Sequence, residues 1–342
     1  MHHFINYSIL AILFVGILNW NTEEVPISHV DTVKPQIFAP GIICKANAWN
    51  FTPAFSKDGN TLYYPRWTTP DFNDRSSIQV LYKSVKKNGK WQEPTKVKAT
   101  QGNRVDWPHI SPDGKHFLVS YNCYHKAQYN YPNEAVWDDF DIWKADCDEE
   151  GNIDWESFAP IAGSNINLAK TPQNARIRYV NNETCPRMDL DGNLYFWTER
   201  LEDGGGLRDV YVAEADENHR WENARLLPYP INSSVKESGV AISADGTHMI
   251  FASQRSGGVG GSDLYSSRKQ NDGSWSKPIN LGKQVNSSAS EGGPQFGPNG
   301  KRLYFCSSRN VPGFPAMDCG EGYSVSYHIF SIKLADIEAL AD

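Results

Sequence analysis

The sequence predicts an all-β fold, a five-bladed β-propeller built from four-stranded antiparallel blades. The main observation is a turn motif that occurs five times in 342 residues: a small or polar residue, any residue, Asp or Asn, then Gly, followed by an apolar segment. The copies lie at 56–59, 111–114, 189–192, 243–246 and 297–300. The last three are 54 residues apart (191 to 245 to 299). A fixed period with turns between strand-like segments indicates a radially repeated β fold.

Each repeat predicts four strands in the same order, which together make one blade. An inner strand precedes the turn, at 52–55, 107–110, 185–188, 239–242 and 293–296. A second strand follows it, at 62–64, 117–120, 194–196, 249–251 and 303–305. The third strand comes after a loop, at 80–82, 141–143, 209–211, 263–265 and 328–330. The fourth begins at Trp91, Trp155, Trp221 and Trp275. The Asp-Gly and Asn-Gly pairs are typical of two-residue turns in which both central residues have positive φ.

The fifth repeat has no fourth strand of its own, because no Trp-x-x-Pro segment follows residue 333. The segment 34–42 has the character of a fourth strand and lies just before the first repeat. We therefore predict that an N-terminal strand closes the ring, which removes two exposed strand edges. The five blades are assigned to 34–333 and the single propeller domain to 34–342.

The N-terminus differs in composition from the repeats. Residues 9–18 form an uncharged apolar run, too short for a comfortable membrane span and typical of a signal-peptide core. Residues 1–20 are therefore predicted to be a signal peptide or a short anchor, and 21–33 a linker. Export to the periplasm or the extracellular space follows, with membrane contact only through an uncleaved N-terminal segment.

Composition narrows the classes of partner. The net charge is −7 with no basic stripe, which argues against nucleic acid. An aromatic content of 12% with 11 Trp and 27 Gly is that of an all-β protein with an ample core. We see no Ser/His/Asp arrangement, phosphate-binding loop or zinc-ligand spacing, so we predict no cofactor. A monomer is expected.

The six cysteines fit an exported chain. In a propeller, the connections from second to third strands and those between blades project from one side of the ring, which we call the loop face. Cys44, Cys123, Cys185, Cys306 and Cys319 map to this face or near it, whereas Cys147 maps to the opposite turn face. We predict the pairs Cys123–Cys185 and Cys44–Cys319 if disulfides form. Free buried thiols are the alternative.

One stretch of the fourth repeat carries a family likeness. Residues 255–265 read RSGGVGGSDLY, 275–282 read WSKPINLG, and Val285-Asn286-Ser287 and Glu291 follow. This pattern closely resembles the TolB-type (WD40-like) β-propeller repeat of exported bacterial proteins, most specifically over 183–309. The resemblance implies a periplasmic or surface-exposed propeller used mainly to bind proteins or ligands. No peptidoglycan-binding OmpA-like domain follows the repeats, so cell-wall anchoring is not expected. Enzymes share the repeat, but none of their catalytic motifs is recognisable.

Repeated charges mark the predicted channel mouth. Carboxylates recur at 54-residue steps at the start of inner strands, and arginines end second strands on the same face: Glu183, Glu237 and Glu291, with Arg66, Arg200, Arg255 and Arg309. They could orient a polar ligand, and a carboxylate pair could hydrolyse a glycoside. Alternatively they form Glu–Arg bridges that lock one blade to the next. Repetition in nearly every blade favours the bridges, because catalytic residues normally break symmetry.

Irregular segments of the loop face are the second candidate site. Insertions at 121–139, 163–182 and 310–327 interrupt the repeat. They contain Tyr121, Tyr124, His125, Tyr129, Tyr131, Trp137, Arg176 and Arg178. Aromatic rings with a few charged groups suit sugars or peptides. The alternative is that these loops pack on themselves and cap the channel.

Two further patterns are weaker. Asp146, Asp148 and Glu150 resemble a calcium loop, but no Glu stands at the twelfth position, so an acidic hairpin turn is the preferred interpretation. His109 lies on an inner strand in register with Ala54, Arg187, Ala241 and Gln295, which indicates a packed or channel-lining histidine rather than a catalytic base.

The leading functional hypothesis is a non-catalytic exported binding module that takes a glycan, peptide or envelope protein on its loop face. The alternative is a carbohydrate-active hydrolase or lyase with acidic residues at the channel mouth. Glutamates fully engaged with arginines would favour the binding module. A deep pocket with a carboxylate pair would favour the enzyme.

Overall fold

A computed structural model describes residues 34–70, 78–100, 102–122, 139–163, 165–168, 181–200, 207–217, 220–318 and 324–341. The predicted signal peptide or anchor and the linker lie outside these residues. Within the described ranges, no helix has the length and apolar character needed to cross a membrane.

The described chain forms five antiparallel sheets, the blades of a propeller, as the repeat predicted. The N-terminal strand β1 is Gln36–Ile37. Blade one contains β2 (Trp49–Asn50), β3 (Ala54–Phe55), β4 (Thr61–Trp67), β5 (Val80–Lys87), β6 (Lys90–Trp91) and β7 (Thr95–Lys96). Blade two contains β8 (Val105–Ile110), β9 (His116–Asn122), β10 (Phe140–Cys147) and β11 (Ile153–Pro160). Blade three contains β12 (Thr184–Met188), β13 (Leu194–Thr198), β14 (Asp209–Ala215) and β15 (Trp221–Leu226).

The last two blades follow the same order. Blade four contains β16 (Glu237–Ile242), β17 (His248–Ser253), β18 (Asp263–Arg268) and β19 (Ile279–Asn280). Blade five contains β20 (Glu291–Phe296) and β21 (Arg302–Ser307), then a small hairpin of β22 (Met317–Asp318) and β23 (Ser324–Val325), then β24 (His328–Lys333). The helical segments are short: α1 (Gly282–Val285) and three 3-10 turns at Lys98–Thr100, Leu334–Asp336 and Glu338–Leu340.

The N-terminal strand closes the ring, which confirms the prediction. β1 pairs antiparallel with β24, with Gln36 opposite Ser331 and Ile37 opposite Phe330. The Phe38 ring then packs edge-on against Tyr304 of blade five, with centroids 5.2 Å apart. This strand supplies the fourth position of blade five, so that sheet does not end in an unpaired β24.

The repeated turns differ in one respect from the prediction. Gly246 has a φ of 68°, but Asp245 is not among the residues with positive φ. The Gly246 N–H donates to Ser243 O at 2.9 Å, and the Asp245 carboxylate accepts from the Ser243 hydroxyl at 2.5 Å and from Thr247 N–H at 3.1 Å. The turn therefore spans Ser-x-Asp-Gly with only the Gly left-handed, because the Asp side chain bonds to neighbouring groups.

The core lies between the blades. One cluster joins Trp197 and Val212 of blade three to Val240 and Phe251 of blade four. A second joins Ile250 and Leu264 of blade four to Leu303 and Phe305 of blade five. Each inner strand also packs beside the next, β3 by β8, β8 by β12, β12 by β16 and β16 by β20. The inner strands therefore converge on the propeller axis.

Each of the two predicted disulfides has one cysteine outside the described residues. Cys44 and Cys185 are free thiols, and both are fully buried. Cys185 Sγ lies 3.4 Å from Val240 O, and Cys44 Sγ lies 3.7 Å from Ile329 O. Their predicted partners, Cys123 and Cys319, lie outside the described residues. The thiols of Cys44 and Cys185 thus lie as small buried groups near backbone carbonyls, as in the alternative interpretation.

Candidate functional site

A β-bulge interrupts the inner strand of blades two to five at the same place. The pairing register shifts between Asp106 and His109, Thr184 and Arg187, Ser238 and Ala241, and Gly292 and Gln295. The bulged residues have positive φ: Trp107 (54°), Cys185 (60°), Gly239 (55°) and Gly293 (55°). A bulge re-aims the side chains that follow it. In blade one Thr52 holds the equivalent position.

These bulged residues meet at the axis. A Cβ on Gly293 would lie 2.2 Å from Cζ3 of Trp107 and 2.3 Å from Oγ1 of Thr52. Glycine is therefore required there, both for its φ and for the approach of the Trp107 ring. Thr52 donates its hydroxyl proton to Gly293 O at 2.5 Å, which connects blade one to blade five at the axis.

The residues that follow the bulges form a second level of the axis. His109, Arg187, Ala241 and Gln295 come directly after their bulges, and Ala54 is their equivalent in blade one. All five are buried, and Arg187 is only 1% exposed. This level contains three large polar side chains and two alanines, so it breaks the symmetry of the repeat. It contains no carboxylate.

His109 is neutral and its tautomer is defined by one contact. Burial, followed by the charge of Arg187, holds the pKa of His109 well below its usual value. Its Nε2 accepts the N–H of Met188 at 3.0 Å, so the ring proton resides on Nδ1. This histidine packs at the axis, as the register predicted.

The repeated glutamates are buried and form ion pairs with arginines that are partly exposed. Glu237 and Glu291 accept from Arg255 and Arg309 at 3.0 and 3.1 Å, and the two carboxylates are 0% and 2% exposed. Glu237 also accepts from Ser233 N–H at 3.0 Å, the Ser233 hydroxyl at 2.7 Å and the Ser253 hydroxyl at 2.8 Å. Each carboxylate of this kind has its acceptor capacity used within the protein.

These ion pairs lie inside a blade rather than between blades, which corrects the predicted geometry. The link to the preceding blade is made by the arginine. Arg255 donates to Ile231 O at 2.6 Å and to Pro230 O at 3.2 Å, both in the connection that enters blade four. Arg309 makes the same contact with Val285 O at 2.5 Å.

The first three blades carry variants of this cluster. In blade three, Arg200 donates to Asn165 O and Ile166 O at 2.8 Å each. In blade one, Arg66 donates to Ile43 O at 2.8 Å, and Asn50 replaces the glutamate as its acceptor at 3.1 Å. Blade two has Asp106, which pairs instead with Arg104 at 3.1 Å. The amide in blade one shows that the cluster does not depend on a carboxylate.

Glu183 has weaker partners than its two equivalents. Its distance to Arg200 is 3.6 Å, and its other donors are Thr198 Oγ1 at 3.0 Å and Leu168 N–H at 3.1 Å. Burial, only partly offset by Arg200, raises the pKa of Glu183 to about 8. Glu183 is therefore a buried carboxyl that titrates near neutral pH.

The aromatic candidates of the loop face are mostly outside the described residues. Tyr124, His125, Tyr129, Tyr131, Trp137, Arg176 and Arg178 all lie there. Tyr121 is described, and its ring packs against Trp143 at 4.9 Å and Phe158 at 5.3 Å, while its hydroxyl accepts from Asn103 at 2.6 Å. Tyr121 thus packs within blade two, at the base of the insertion that leaves β9.

Part of the third insertion packs on blade one. Tyr327 contacts Trp49 at 5.1 Å and stacks on Phe51 at 6.0 Å. The indole N–H of Trp49 donates to Val325 O at 2.9 Å. These contacts make an aromatic cluster of the loop face where blades five and one meet.

The acidic residues that resemble a calcium loop lie in a hairpin turn, which was the preferred interpretation. Asp148 accepts from Asn152 N–H at 2.7 Å and from the Asn152 amide at 2.8 Å, which closes the turn between β10 and β11. Asp146 faces His116 at 3.2 Å. Across the part of the chain that the structure describes, no three His, Cys, Asp or Glu residues are grouped as metal ligands would be.

Sequence reasoning placed His109, Arg187 and Gln295 in register but assigned no role to Arg187 and Gln295. The sequence did contain a clue to that role. At this level the repeats of this chain have alanine in blades one and four and large polar residues in the other three. What the sequence could not give is the depth of burial of the Arg187 guanidinium.

Some solved structures resemble this chain, although its sequence matches no known family. No protein-family model and no curated protein matches the sequence. Similar solved structures include TolB from Acinetobacter baumannii, at 15% identity and a TM-score of 0.42, covering 83% of this chain and 54% of that chain. They also include an α-L-arabinofuranosidase from Lactobacillus brevis, at 11% identity and a TM-score of 0.48, covering 84% and 92%. A protein of unknown function from Dyadobacter fermentans gives 12% identity and a TM-score of 0.47, covering 88% and 98%.

The chain thus spans about half the length of the TolB structure, at 54%. The chain has the five-bladed architecture described above, which is consistent with the TolB-type propeller that the repeat sequence predicted.

Proposed function

We propose that this protein is an exported, non-catalytic β-propeller that binds a glycan, peptide or envelope protein on its loop face. The observation that carries the proposal is the state of the repeated carboxylates. Glu183, Glu237 and Glu291 are buried and each accepts hydrogen bonds from an arginine or hydroxyl of its own blade. A carboxylate in this state has no face left for a substrate.

The alternative, a glycoside hydrolase or lyase, requires a pair of reactive carboxyl groups beside a substrate. The second level of the axis offers His109, Arg187 and Gln295 with two alanines, and so contains no acid or base pair of that kind. Glu183 is the best remaining candidate because its pKa is about 8. It is 0% exposed, however, and its carboxyl group accepts hydrogen bonds from the Thr198 hydroxyl and the Leu168 N–H.

The loop face is the better candidate for binding because it carries the departures from the repeat. The insertion of blade two leaves after Asn122 and returns at Asp139, at the ends of β9 and β10. Its sequence holds Tyr129, Tyr131 and Trp137, which a blade does not need for its own packing. Rings of this type give apolar contact area with polar edges, which suits sugars and peptides.

The proposal is tested by measuring binding and stability on the same variants. Purified mature protein would be titrated with glycans, peptidoglycan fragments and envelope extracts, and binding followed by calorimetry. Tyr129→Ala, Tyr131→Ala and Trp137→Ala should each weaken binding at least tenfold while leaving the melting temperature nearly unchanged. The control is Glu237→Ala, which should lower stability through the loss of a buried partner.

The opposite pattern would support the enzyme. If Glu183→Gln abolishes cleavage of a glycan while the three aromatic variants bind normally, the binding proposal is wrong. Export is tested separately, by locating the protein in cell fractions and determining the N-terminal residue of the mature chain by mass spectrometry.

A further inference from the structure

Arg187 is the largest fully buried side chain of the described protein. Its Nη1 donates to Pro186 O at 2.8 Å and lies 3.5 Å from the carbonyl oxygens of Trp107 and Pro108. Its Nε and Nη2 have no hydrogen-bond partner among the described residues. A guanidinium remains charged in proteins, and burying one without a counter-charge is costly.

The charges around Arg187 do not neutralise it. The thiols of Cys185 and Cys306 are the groups that bear on its charge, and burial raises the pKa of Cys306 to about 12, so that thiol is neutral. Asp106, which also acts on Cys306, is in a salt bridge with Arg104. The two alanines of the same level, Ala54 and Ala241, contribute no charge.

The unpaired atoms have a geometry that fits one class of ligand. Nε and Nη2 are on the same edge of the guanidinium plane and donate in parallel, which is the arrangement that binds an oxyanion through two oxygens. His109 is not a further free donor, because Met188 N–H occupies its Nε2 and its side chain is hydrogen-bonded to Gln295.

The propeller fold does not require polar side chains at this level of the axis. Blades one and four have alanine at the same level, so the propeller packs without a charged side chain there. Three of five blades nevertheless place a polar side chain at this level. Those of His109 and Gln295 are hydrogen-bonded to each other, whereas Nε and Nη2 of Arg187 are buried without an acceptor. Unpaired donors on a buried guanidinium indicate a missing acceptor.

We propose that Arg187 binds a carboxylate-type oxyanion at the propeller axis. The Nε and Nη2 edge of the guanidinium holds two oxygens of the anion. The anion supplies the negative charge that the described protein lacks at this position. It arrives either as a free small carboxylate or as the acid group of a larger ligand such as a uronic acid.

The experiment is a titration of the full mature protein followed by tryptophan fluorescence and melting temperature. Trp107 lies at the level next to Arg187 along β8 and β12, so its emission should report binding. The probes are sodium formate, sodium acetate and sodium galacturonate, each against sodium chloride at equal ionic strength. We expect a saturable rise in melting temperature with the carboxylates and none with chloride.

The two sources of the carboxylate give different results. Saturation by formate and acetate identifies a free small anion, whereas saturation by galacturonate alone identifies the acid group of a sugar. Arg187→Met should abolish the response, and Arg187→Lys, which keeps the charge but loses the two-point edge, should weaken binding at least tenfold. Arg225→Met is the matched control, because Arg225 is exposed and paired with Glu214 at 2.8 Å, and it should respond as the wild type does.

Three outcomes would overturn the proposal. The first is no saturable response of the wild-type protein to any of the carboxylates. The second is an equal response to chloride, which would mean a general salt effect. The third is a full response in Arg187→Met. Since the wild-type titration decides the first two by itself, the test stands even if the Arg187 variants fail to fold.

Discussion

Glu237 accepts a hydrogen bond from Arg255 at 3.0 Å, and both residues belong to blade four. Glu237 begins β16, and Arg255 comes two residues after the end of the paired strand β17. The Arg255 guanidinium also lies over the rings of Phe251 and Tyr265, with distances of 5.1 and 5.2 Å to their centroids. It donates in addition to Ile231 O, in the connection from blade three. One buried ion pair therefore fixes the path by which the chain enters a blade.

Removing Glu237 should destabilise the protein. Glu237→Ala leaves Arg255 largely buried and without its carboxylate, and breaking a buried pair in this way costs about 3–5 kcal/mol of unfolding free energy. The matched control is Glu214→Ala, which removes an exposed pair with Arg225 at 2.8 Å and should cost about 0–1 kcal/mol. Denaturant unfolding of both variants measures the difference. Equal, small losses would show that the repeated pairs contribute little to stability.

The titration of Glu183 should appear in the pH dependence of stability. Its carboxyl has a pKa of about 8 in the folded protein and 4.5 as the ordinary value, so the folded state holds a proton that the unfolded state releases between these two values. The contribution is fully present below pH 4.5 and is lost as the pH rises to about 8. The unfolding free energy of the wild type should therefore fall relative to Glu183→Gln across this window, by at most about 1.4 kcal/mol per pH unit.

The comparison with Glu291→Gln provides the control for that measurement. Glu291 accepts from Ser287 N–H at 2.9 Å, the Ser287 hydroxyl at 2.6 Å, the Ser307 hydroxyl at 2.7 Å and Arg309 at 3.1 Å. We expect this variant to be less stable than the wild type throughout the same pH range. A difference between wild type and Glu183→Gln that does not change with pH would contradict the assigned titration.

The sequence predicted the blades because their determinants are local. Asp245-Gly246 and its equivalents specify turns within a few residues, and the missing fourth strand of blade five pointed to the N-terminal strand. The positions of charges at the axis depend instead on five strands that are far apart in sequence. His109 and Arg187 are 78 positions apart, and no local pattern reveals that they are buried together.

The turn geometry and the ion pairs likewise depend on side-chain contacts that the sequence alone did not reveal. The sequence predicted positive φ for both turn residues. In the structure the Asp245 carboxylate accepts a hydrogen bond from the Ser243 hydroxyl, and only Gly246 has a positive φ. The sequence also predicted Glu–Arg contacts between blades. The contact is within a blade because strands β16 and β17 pair antiparallel and bring Glu237 opposite Ser253, two residues before Arg255.

Because the Trp107 ring lies against Gly293, replacing Gly293 by Ala should cost far more stability than replacing the adjacent Gly292. Gly293→Ala would place a Cβ 2.2 Å from the Trp107 ring at a φ of 55°, and should cost at least about 2 kcal/mol through overpacking and backbone strain. Gly292→Ala is the control, because nothing lies within 4 Å of its added Cβ. In a Trp107→Ala background the cost of Gly293→Ala should decrease. An unchanged cost in that background would mean that the ring is not the cause.

The N-terminal strand should be required for a stable monomer. Deleting residues 34–43 removes β1, the Phe38 ring that packs on Tyr304, and the Ile43 carbonyl that accepts from Arg66 at 2.8 Å. It exposes the edge of β24 and leaves a buried guanidinium in blade one with fewer acceptors, so we expect aggregation or a much lower melting temperature. Phe38→Ala should give part of this loss, and Gln36→Ala, an exposed position of the same strand, almost none. Size-exclusion chromatography and thermal unfolding measure all three. A truncated protein that stays monomeric with an unchanged melting temperature would show that the ring is held closed by the inner strands alone, such as the Thr52 contact with Gly293 at 2.5 Å.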